Sequence, residues 1–431
     1  MILSLPSNAQ RAVLVAASIA VALVLSYFSI RNALATHYAG LQTPEAYERA
    51  VQLEPAKAQN WYLLGRYWQY NLEDPDGARA IHSYLFALSL NPGSSDIWLD
   101  LATAYESEAK VVAARDAFLH AKKVYPLSAE VSWRYGNFLL RQGELESAFT
   151  EMRHAVEADP QRAAESFSRF LRAGSSVELT LDRLLPPVSE AYIDVIWDQT
   201  TDGHTENALK VWNRLVAIHP RVPLRDVFPL IAALRNSKRI TDARRVWDQA
   251  VIVADMADLE GPHGSILWDG GFESGVTRGG YSWLFPEGVR NVQISIDAQE
   301  RHSGNHSLRL TFDGESIVTS TDICHYVPVS PSTSYRFSAW MKTRAVTTDQ
   351  GIRFQLLSLG TQDSSIVVTP ELHGTEPWTQ IGIPWSSGTD VQEVQVCLVR
   401  SLSDQLENRI KGTIWVDDVA LVPEAVEHSK P

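Results

Sequence analysis

Three regimes of hydrophobic patterning follow one another along the chain. Residues 12–30 are apolar and carry no charge, with no polar face of the kind a soluble surface helix needs. At about 1.5 Å per residue, such a run is long enough to cross a hydrocarbon core of about 30 Å. From 42 to 257, apolar residues recur at helical spacing and predict a succession of short helices. Beyond residue 265 that period gives way to alternation by two. Strands are predicted at 266–269, 292–297, 306–312, 323–329, 334–343, 352–359, 378–385, 394–401 and 413–422. Gly, Pro, Ser and Thr lie between them, and the pattern reads as a β-sandwich or jelly roll.

The helical regime is organised around residues 96–126. Trp98, Leu101, Ala102 and Tyr105 are followed by Ala114, Phe118, Ala121 and Pro126. Small residues let two antiparallel helices approach, large ones fill the gaps, and the proline ends the second helix. Pro92, Pro126 and Pro160 recur with a period of about 34 residues. Trp61, Leu64, Gly65, Ala80 and Ala87 fill the same positions in the unit ending at Pro92, with Asp74-Pro75-Asp76-Gly77 lengthening its turn. Trp133, Gly136, Gly143, Ala148 and Ala155 do so in the unit ending at Pro160. Tyr47, Ala50 and Pro55 suggest the second helix of an incomplete unit upstream. Gly203, Ala208, Trp212 and Pro220, then Ala243, Trp247 and Ala250, extend the pattern more weakly downstream. This array resembles the tetratricopeptide repeats. The resemblance implies an all-α solenoid over 42–257 that binds proteins on a concave face. Tyr62, Arg66, Tyr67 and Tyr70 are the candidates for contact with a peptide or partner helix; otherwise they are packing or solvated residues of the solenoid.

Two readings fit the apolar run at 12–30. Ala33-Leu34-Ala35 is similar to a signal-peptidase site, which would leave a mature start at Thr36. The run is longer than a usual signal core, and Tyr27, Phe28 and Arg31 stand where a membrane interface would lie. The favoured reading is therefore an uncleaved transmembrane signal anchor with residues 1–11 as a cytoplasmic tail. Either way the bulk of the chain is exported to the periplasm or cell exterior. Arg11 before the run and Arg31 after it leave the orientation weakly determined by charge.

The last regime opens at a turn-rich linker, 258–265, containing Glu260-Gly261-Pro262-His263-Gly264. Asp269-Gly270-Gly271-Phe272-Glu273 follows, with Trp283 soon after. Then come His302-Ser303-Gly304-Asn305-His306, the segment Val329 to Trp340, and Trp415-Val416-Asp417-Asp418. In this order the four motifs resemble the carbohydrate-binding modules appended to xylanases and glucanases, over 266–423, with 424–431 as a tail. The resemblance implies a structural calcium ion held by the Gly271 carbonyl, Glu273, Glu300 and Asp417 or Asp418, hard oxygen ligands of the kind calcium takes. The alternative is that the aspartate pair makes loop hydrogen bonds. Cys324 and Cys397 both fall in predicted strands and form either a disulfide, in an exported protein, or two buried thiols.

Alternation along 334–343 places Tyr335, Phe337, Ala339 and Met341 on a core face and Arg336, Ser338, Trp340 and Lys342 on the other. A tryptophan among polar groups fits a sugar, whose C–H face stacks on the indole. Arg353, Gln355 and Gln395 are expected to add hydrogen bonds from adjoining strands. The rival is a Trp340 covered by a loop or by the repeats.

A formal charge of −13 and the lack of a basic run exclude nucleic acid as the main partner. No metalloprotease, phosphate-loop or serine-elbow motif occurs in the sequence. Asp417 and Asp418 are neighbours in a predicted strand and should point to opposite faces, not across a cleft. The sequence therefore predicts a non-catalytic membrane-tethered scaffold that holds a protein on its repeats and a glycan or envelope polysaccharide on its jelly roll. The layout resembles bacterial envelope factors for polysaccharide assembly or export. The alternatives are a structural scaffold that binds no sugar and a cryptic glycan-processing enzyme.

Overall fold

The computed structural model describes residues 8–218, 221–257, 264–286, 292–315, 317–360, 364–403 and 408–424. Pro220, residues 258–263 of the predicted linker, 1–7 of the amino-terminal tail and 425–431 of the carboxy-terminal one lie outside the described residues. Fourteen α-helices precede ten strands among those described. The chain forms two compact units, 1–186 and 187–431.

The first unit is all helical. Its first helix, α1 (Asn8–Gly40), is long and apolar enough to cross a membrane. The predicted span of 12–30 is thus part of a longer helix, and no linker separates it from the repeats. The end of α1 packs on α2 (Pro44–Leu53). Ala35 is fully buried there, Arg31 Nε donates to the Leu53 carbonyl at 3.0 Å, and Arg31 pairs with Glu54 at 3.6 Å. Helix α1 therefore supplies the first helix of the unit that the sequence left incomplete.

Four hairpins follow: α3 (Ala58–Tyr70) with α4 (Gly77–Leu90), α5 (Ser95–Ser107) with α6 (Val111–Val124), α7 (Ala129–Arg141) with α8 (Leu145–Ala158), and α9 (Ala163–Arg172) with α10 (Val177–Leu184). Side-chain oxygens of Thr43, Asp76, Ser94 and Ser128 cap the amino ends of α2, α4, α5 and α7 by accepting the N–H three residues on. The small positions act as predicted. Ala80, Ala87, Ala102, Ala114, Ala121, Ala148 and Ala155 are fully buried. A Cβ on Gly65 would sit 2.7 Å from the Tyr84 ring, and one on Gly136 would sit 2.6 Å from Met152. Phe118 fills the core with Tyr135 and Phe138. Trp98 does not: it is half-exposed, stacked on His120 with its N–H on the Pro92 carbonyl at 3.0 Å. Trp61 makes the same bond to Pro55 at 2.8 Å. These two indoles tie their hairpins to the proline turn before each, whereas the Trp133 N–H in the next hairpin is buried without a partner.

The second unit joins four helices to the sandwich. Helices α11 (Ser189–Thr201) and α12 (Thr205–Ala217) precede α13 (Phe228–Asn236) and α14 (Ile240–Val253). The strands are β1 (Trp283–Leu284), β2 (Val292–Asp297), β3 (Ser307–Asp313), β4 (Ser320–Pro328), β5 (Ser334–Val346), β6 (Ile352–Ser358), β7 (Ile366–Val368), β8 (Gly374–Ser386), β9 (Glu393–Arg400) and β10 (Lys411–Pro423). They make two antiparallel five-stranded sheets, β1-β4-β9-β6-β7 and β2-β3-β10-β5-β8. Inward residues such as Leu308, Phe337, Phe354, Val396 and Ile414 form the core between them. Eight predicted strands are found, while 266–269 is irregular and β1 and β7 were not expected. Cys324 and Cys397 are directly opposed on β4 and β9, with Cα atoms 4.1 Å apart, and are joined as a disulfide.

The hairpin α13–α14 is stitched to the sandwich, so the helical pattern's end at 257 is not the boundary between compact units. Arg235 donates twice to Glu393, at 2.7 and 2.9 Å, and its guanidinium lies 3.7 Å from the centre of the Tyr326 ring. Trp247 meets Trp268 and Tyr281 edge-on. The rings of Phe228 and Trp247 press on Gly279 and Gly280, where a Cβ would sit 2.1 and 2.3 Å from them. Gly280 also has φ +62°, so both space and backbone call for glycine there.

Candidate ligand surfaces

On α3, Tyr62, Arg66 and Tyr70 fall four residues apart and share one face. The Arg66 guanidinium lies 5.9 Å from the Tyr62 ring centre and 5.8 Å from that of Tyr70. All are organised by Asp100 of α5, a buried carboxylate the sequence reading did not single out. Tyr62 OH donates to Asp100 Oδ2 at 2.9 Å, Arg134 of α7 donates to Oδ1 at 3.0 Å, and Arg66 lies 3.8 Å away. Burial, then the Asp100 charge, pushes the Tyr62 hydroxyl far up from its usual value, and the same causes raise Tyr70. Tyr62 thus stays a donor. Arg66 and Tyr70 are exposed. Tyr67 is not part of this face, because its ring packs between Tyr47 and Trp68. The spacing of Asp100 and Arg134, one repeat apart at matching helix positions, was the available signal.

The calcium candidates do not converge as one set. Asp417 is fully buried, and its Oδ2 accepts the backbone N–H groups of His302 and Ser303 at 2.7 and 3.1 Å. Glu273 Oε1 accepts those of Asn305 and His306 at 2.6 and 3.1 Å. One turn, 302–306, is thereby held between two carboxylates. Asp418 also faces this turn, through the Ser303 hydroxyl at 2.7 Å and His302 Nδ1 at 2.6 Å. The expectation that Asp417 and Asp418 point to opposite faces fails at a β-bulge between Asp417 and Ala420, where Asp418 has φ +47°. Glu300 is tied to Lys342. Among the described residues, no three His, Cys, Asp or Glu side chains gather as metal ligands. Glu273 and Asp417 come nearest to Gly271, and their remaining oxygens are engaged too: Asp417 Oδ1 accepts the Asp418 N–H at 2.8 Å, and Glu273 Oε2 lies 2.9 Å from His306 Nδ1. A Cβ on Gly271 would lie 3.8 Å from Asp417 Oδ1 and 4.0 Å from Glu273 Oε1, so both carboxylates border the space Gly271 leaves open. Burial pushes Asp417 up to about 6, against the lowering by its N–H donors. Burial also opposes ionisation of Glu273, but the Asn305 and His306 hydrogen bonds prevail and hold it below its usual range.

Strand β5 alternates as predicted, with Tyr335, Phe337, Ala339 and Met341 buried and Arg336 exposed. Trp340 is half-buried, stacked under the His302 imidazole with centroids 3.9 Å apart, and Trp378 meets that imidazole edge-on at 5.8 Å. Arg336 pairs with Glu424. Arg353 and Gln355 lie on β6 and Gln395 on β9, in the sheet opposite to Trp340, so they cannot join it around one sugar. The period-two pattern assigns faces within a strand but not which strands share a sheet. Arg353 is engaged with Glu371 and Gln350, and Gln395 donates to Tyr326 OH. Beside Trp340, Trp415 is buried rather than open to a ligand: its N–H donates to Asp297 at 2.9 Å, and Arg344 and Lys342 lie 5.0 and 5.9 Å from its ring centre.

No protein-family model and no curated protein matches the sequence. Several solved structures align with parts of the chain, at low TM-scores. A bacteriophage CBA120 tailspike protein 4 enzymatically active domain aligns over 37% of this chain at 10% identity and TM-score 0.29, and the chain spans about a fifth (21%) of its length. YrrB, a tetratricopeptide protein with an unusual peptide-binding site, aligns over 49% of this chain and 94% of its own, at 14% identity and TM-score 0.27. The CBM22-1 xylan-binding domain of Paenibacillus barcinonensis Xyn10C aligns over 36% of this chain and 90% of its own, at 16% identity and TM-score 0.24.

Proposed function

We propose that this chain is a non-catalytic, single-pass membrane scaffold, exposed outside the cytoplasm, that holds a protein partner on its repeats and a glycan or envelope polysaccharide on its sandwich. The observation that carries the reading is the continuity of α1. Its apolar residues from Val13 to Ile30 are exposed, whereas Ala35 is buried against α2 in the first repeat. Cleavage after Ala35 would cut that hairpin, so an uncleaved anchor agrees with the packing. The Cys324–Cys397 disulfide fits an oxidising compartment. The Tyr62–Arg66–Tyr70 face, braced by Asp100, offers a partner an arginine and an aromatic ring, groups common where interfaces bind tightly. Trp340 with its polar neighbours is the candidate contact for a sugar.

Amino-terminal sequencing of membrane-extracted protein tests the tether. Residues before Ala35 are expected to be present, and a start at Thr36 would end the anchor reading. A second reading, a scaffold whose sandwich only caps the helices and binds no sugar, is favoured by the seam between α13–α14 and the sandwich. Retention of the soluble part on a glycan array separates the two.

A further inference from the structure

The seam between the α13–α14 hairpin and the sandwich encloses three adjoining clefts of about 450, 230 and 310 Å³. Ile240 and Gln392 line both the first and the second, and Arg244 and Pro328 both the second and the third. One stripe of α14, Ile240, Arg244, Trp247 and Val251, runs the whole way. The eleven helical rises from Ile240 to Val251 give a groove about 16 Å long.

The groove's chemistry is selective. In its widest part the charges of Arg235 and Lys238 are matched by those of Glu393 and Asp390, so the lining is neutral. Asn236, Lys238 and Gln392 are exposed and provide donors, and the Gln392 amide also accepts. Tyr326, Leu359 and Ile240 supply apolar surface between them. The opposite wall, Pro328 to Pro331, has no backbone edge for a peptide to pair with. Two of its four residues lack an N–H, Val329 N already donates to Gln392 O, and Ser330 N to Tyr335 OH. Under the third cleft, the Trp268 N–H is buried without a hydrogen-bond partner, and the buried Tyr281 hydroxyl lies beside Arg235 and Glu393.

Mixed donors and acceptors, apolar strips, no net charge and an elongated shape together suit a polyhydroxyl chain better than a peptide or an anion. We propose that the groove binds a linear, uncharged oligosaccharide, at a site that neither the helices nor the sandwich forms alone. This deepens the glycan half of the proposed function and rests on it, but it locates a contact distinct from Trp340.

The test uses the full chain in detergent and a panel of linear gluco-, xylo-, manno- and N-acetylglucosamine oligomers, with binding read by calorimetry and tryptophan fluorescence. A Trp340→Ala protein is expected to retain binding to one class. Adding Asn236→Ala, Lys238→Ala and Gln392→Ala should weaken it at least tenfold with an unchanged Tm, since these three side chains are exposed. Gln392→Ala alone should weaken it severalfold. If Trp340→Ala abolishes binding, the groove site is wrong while the Trp340 contact stands; if binding survives both Trp340→Ala and the groove substitutions, the groove site is wrong and the sugar contact lies elsewhere. If the wild type binds no oligomer of the panel, the groove and the glycan half of the proposed function both fall.

Discussion

The His302 imidazole lies flat on the Trp340 indole, 15° from parallel, and is held there by Asp418 2.6 Å from its Nδ1. The one tryptophan that alternation exposes on β5 is thus partly closed by the chain's own turn. A sugar stacking on Trp340 must take the imidazole's place. Removing it with His302→Ala should therefore strengthen retention on immobilised glycan, while Trp340→Ala should weaken it to whatever the seam groove alone retains. The same His302 change should cost about 0.5–1.5 kcal/mol of stability, the scale of an aromatic pair. Unchanged retention in His302→Ala would show that the ring does not gate the indole.

Arg235 and Glu393 form the most enclosed ion pair of the seam, with side chains 18% and 7% exposed. Arg235→Ala would strand a buried carboxylate, and urea unfolding should record a loss of about 3–5 kcal/mol. The double variant Arg235→Ala with Glu393→Gln should recover part of that. If the single change proves harmless, the pair is solvated in solution and the seam is loose.

The same seam decides where the chain can be divided. A 187–431 fragment should melt cooperatively, because it keeps Phe228 and Trp247 on Gly279 and Gly280. A 258–431 fragment should melt lower or aggregate, since Trp268 and Tyr281 lose their cover. Equal melting of the two fragments, followed by circular dichroism, would make the hairpin an accessory.

Phe118 and Trp98 separate core from strap in the repeats. Phe118, about 1% exposed, should cost about 3–5 kcal/mol when changed to Ala. Trp98 is half-exposed and loses mainly one hydrogen bond and one stacked pair, so Trp98→Ala should cost about 1–2 kcal/mol. Chemical denaturation of both variants gives the order directly.

How far the sequence reached follows from what local patterns encode. Period and small-residue spacing identified the hairpins, because Ala and Gly sit where helices touch. Alternation identified eight strands and the buried face of β5. Strand order is a non-local property, so Gln355 and Gln395 were grouped with Trp340 although they occupy the other sheet. A bulge has no clear periodic signature, so alternation places Asp417 and Asp418 on opposite faces where both in fact meet the 302–306 turn. The Arg235–Glu393 pair spans two regimes of pattern, and nothing in either regime announces it. Hydropathy falls near Arg31, so the apolar run ends at residue 30 in the sequence while the helical backbone of α1 continues to Gly40.

Proton and calcium would compete at Asp417. Its folded value, about 6, lies above the ordinary aspartate range, so the folded state holds a proton that the unfolded chain releases near pH 4. The stability this gives is full below the unfolded value and is lost as pH rises through about 6. Without metal, Asp417→Asn should therefore lower Tm more at pH 5 than at pH 7.5. Calcium acts on the other side of the same equilibrium. We propose that the Gly271 carbonyl, Glu273 and Asp417 would hold it, and it would require Asp417 ionised. Added calcium should raise the wild-type Tm at pH 7.5, have less effect at pH 5 and none in Asp417→Asn, because a ligand of the folded state stabilises by mass action. EDTA should reverse the rise. A melt indifferent to calcium at both pH values, with the pH dependence intact, would leave Glu273 and Asp417 as the clamp of the 302–306 turn and nothing more.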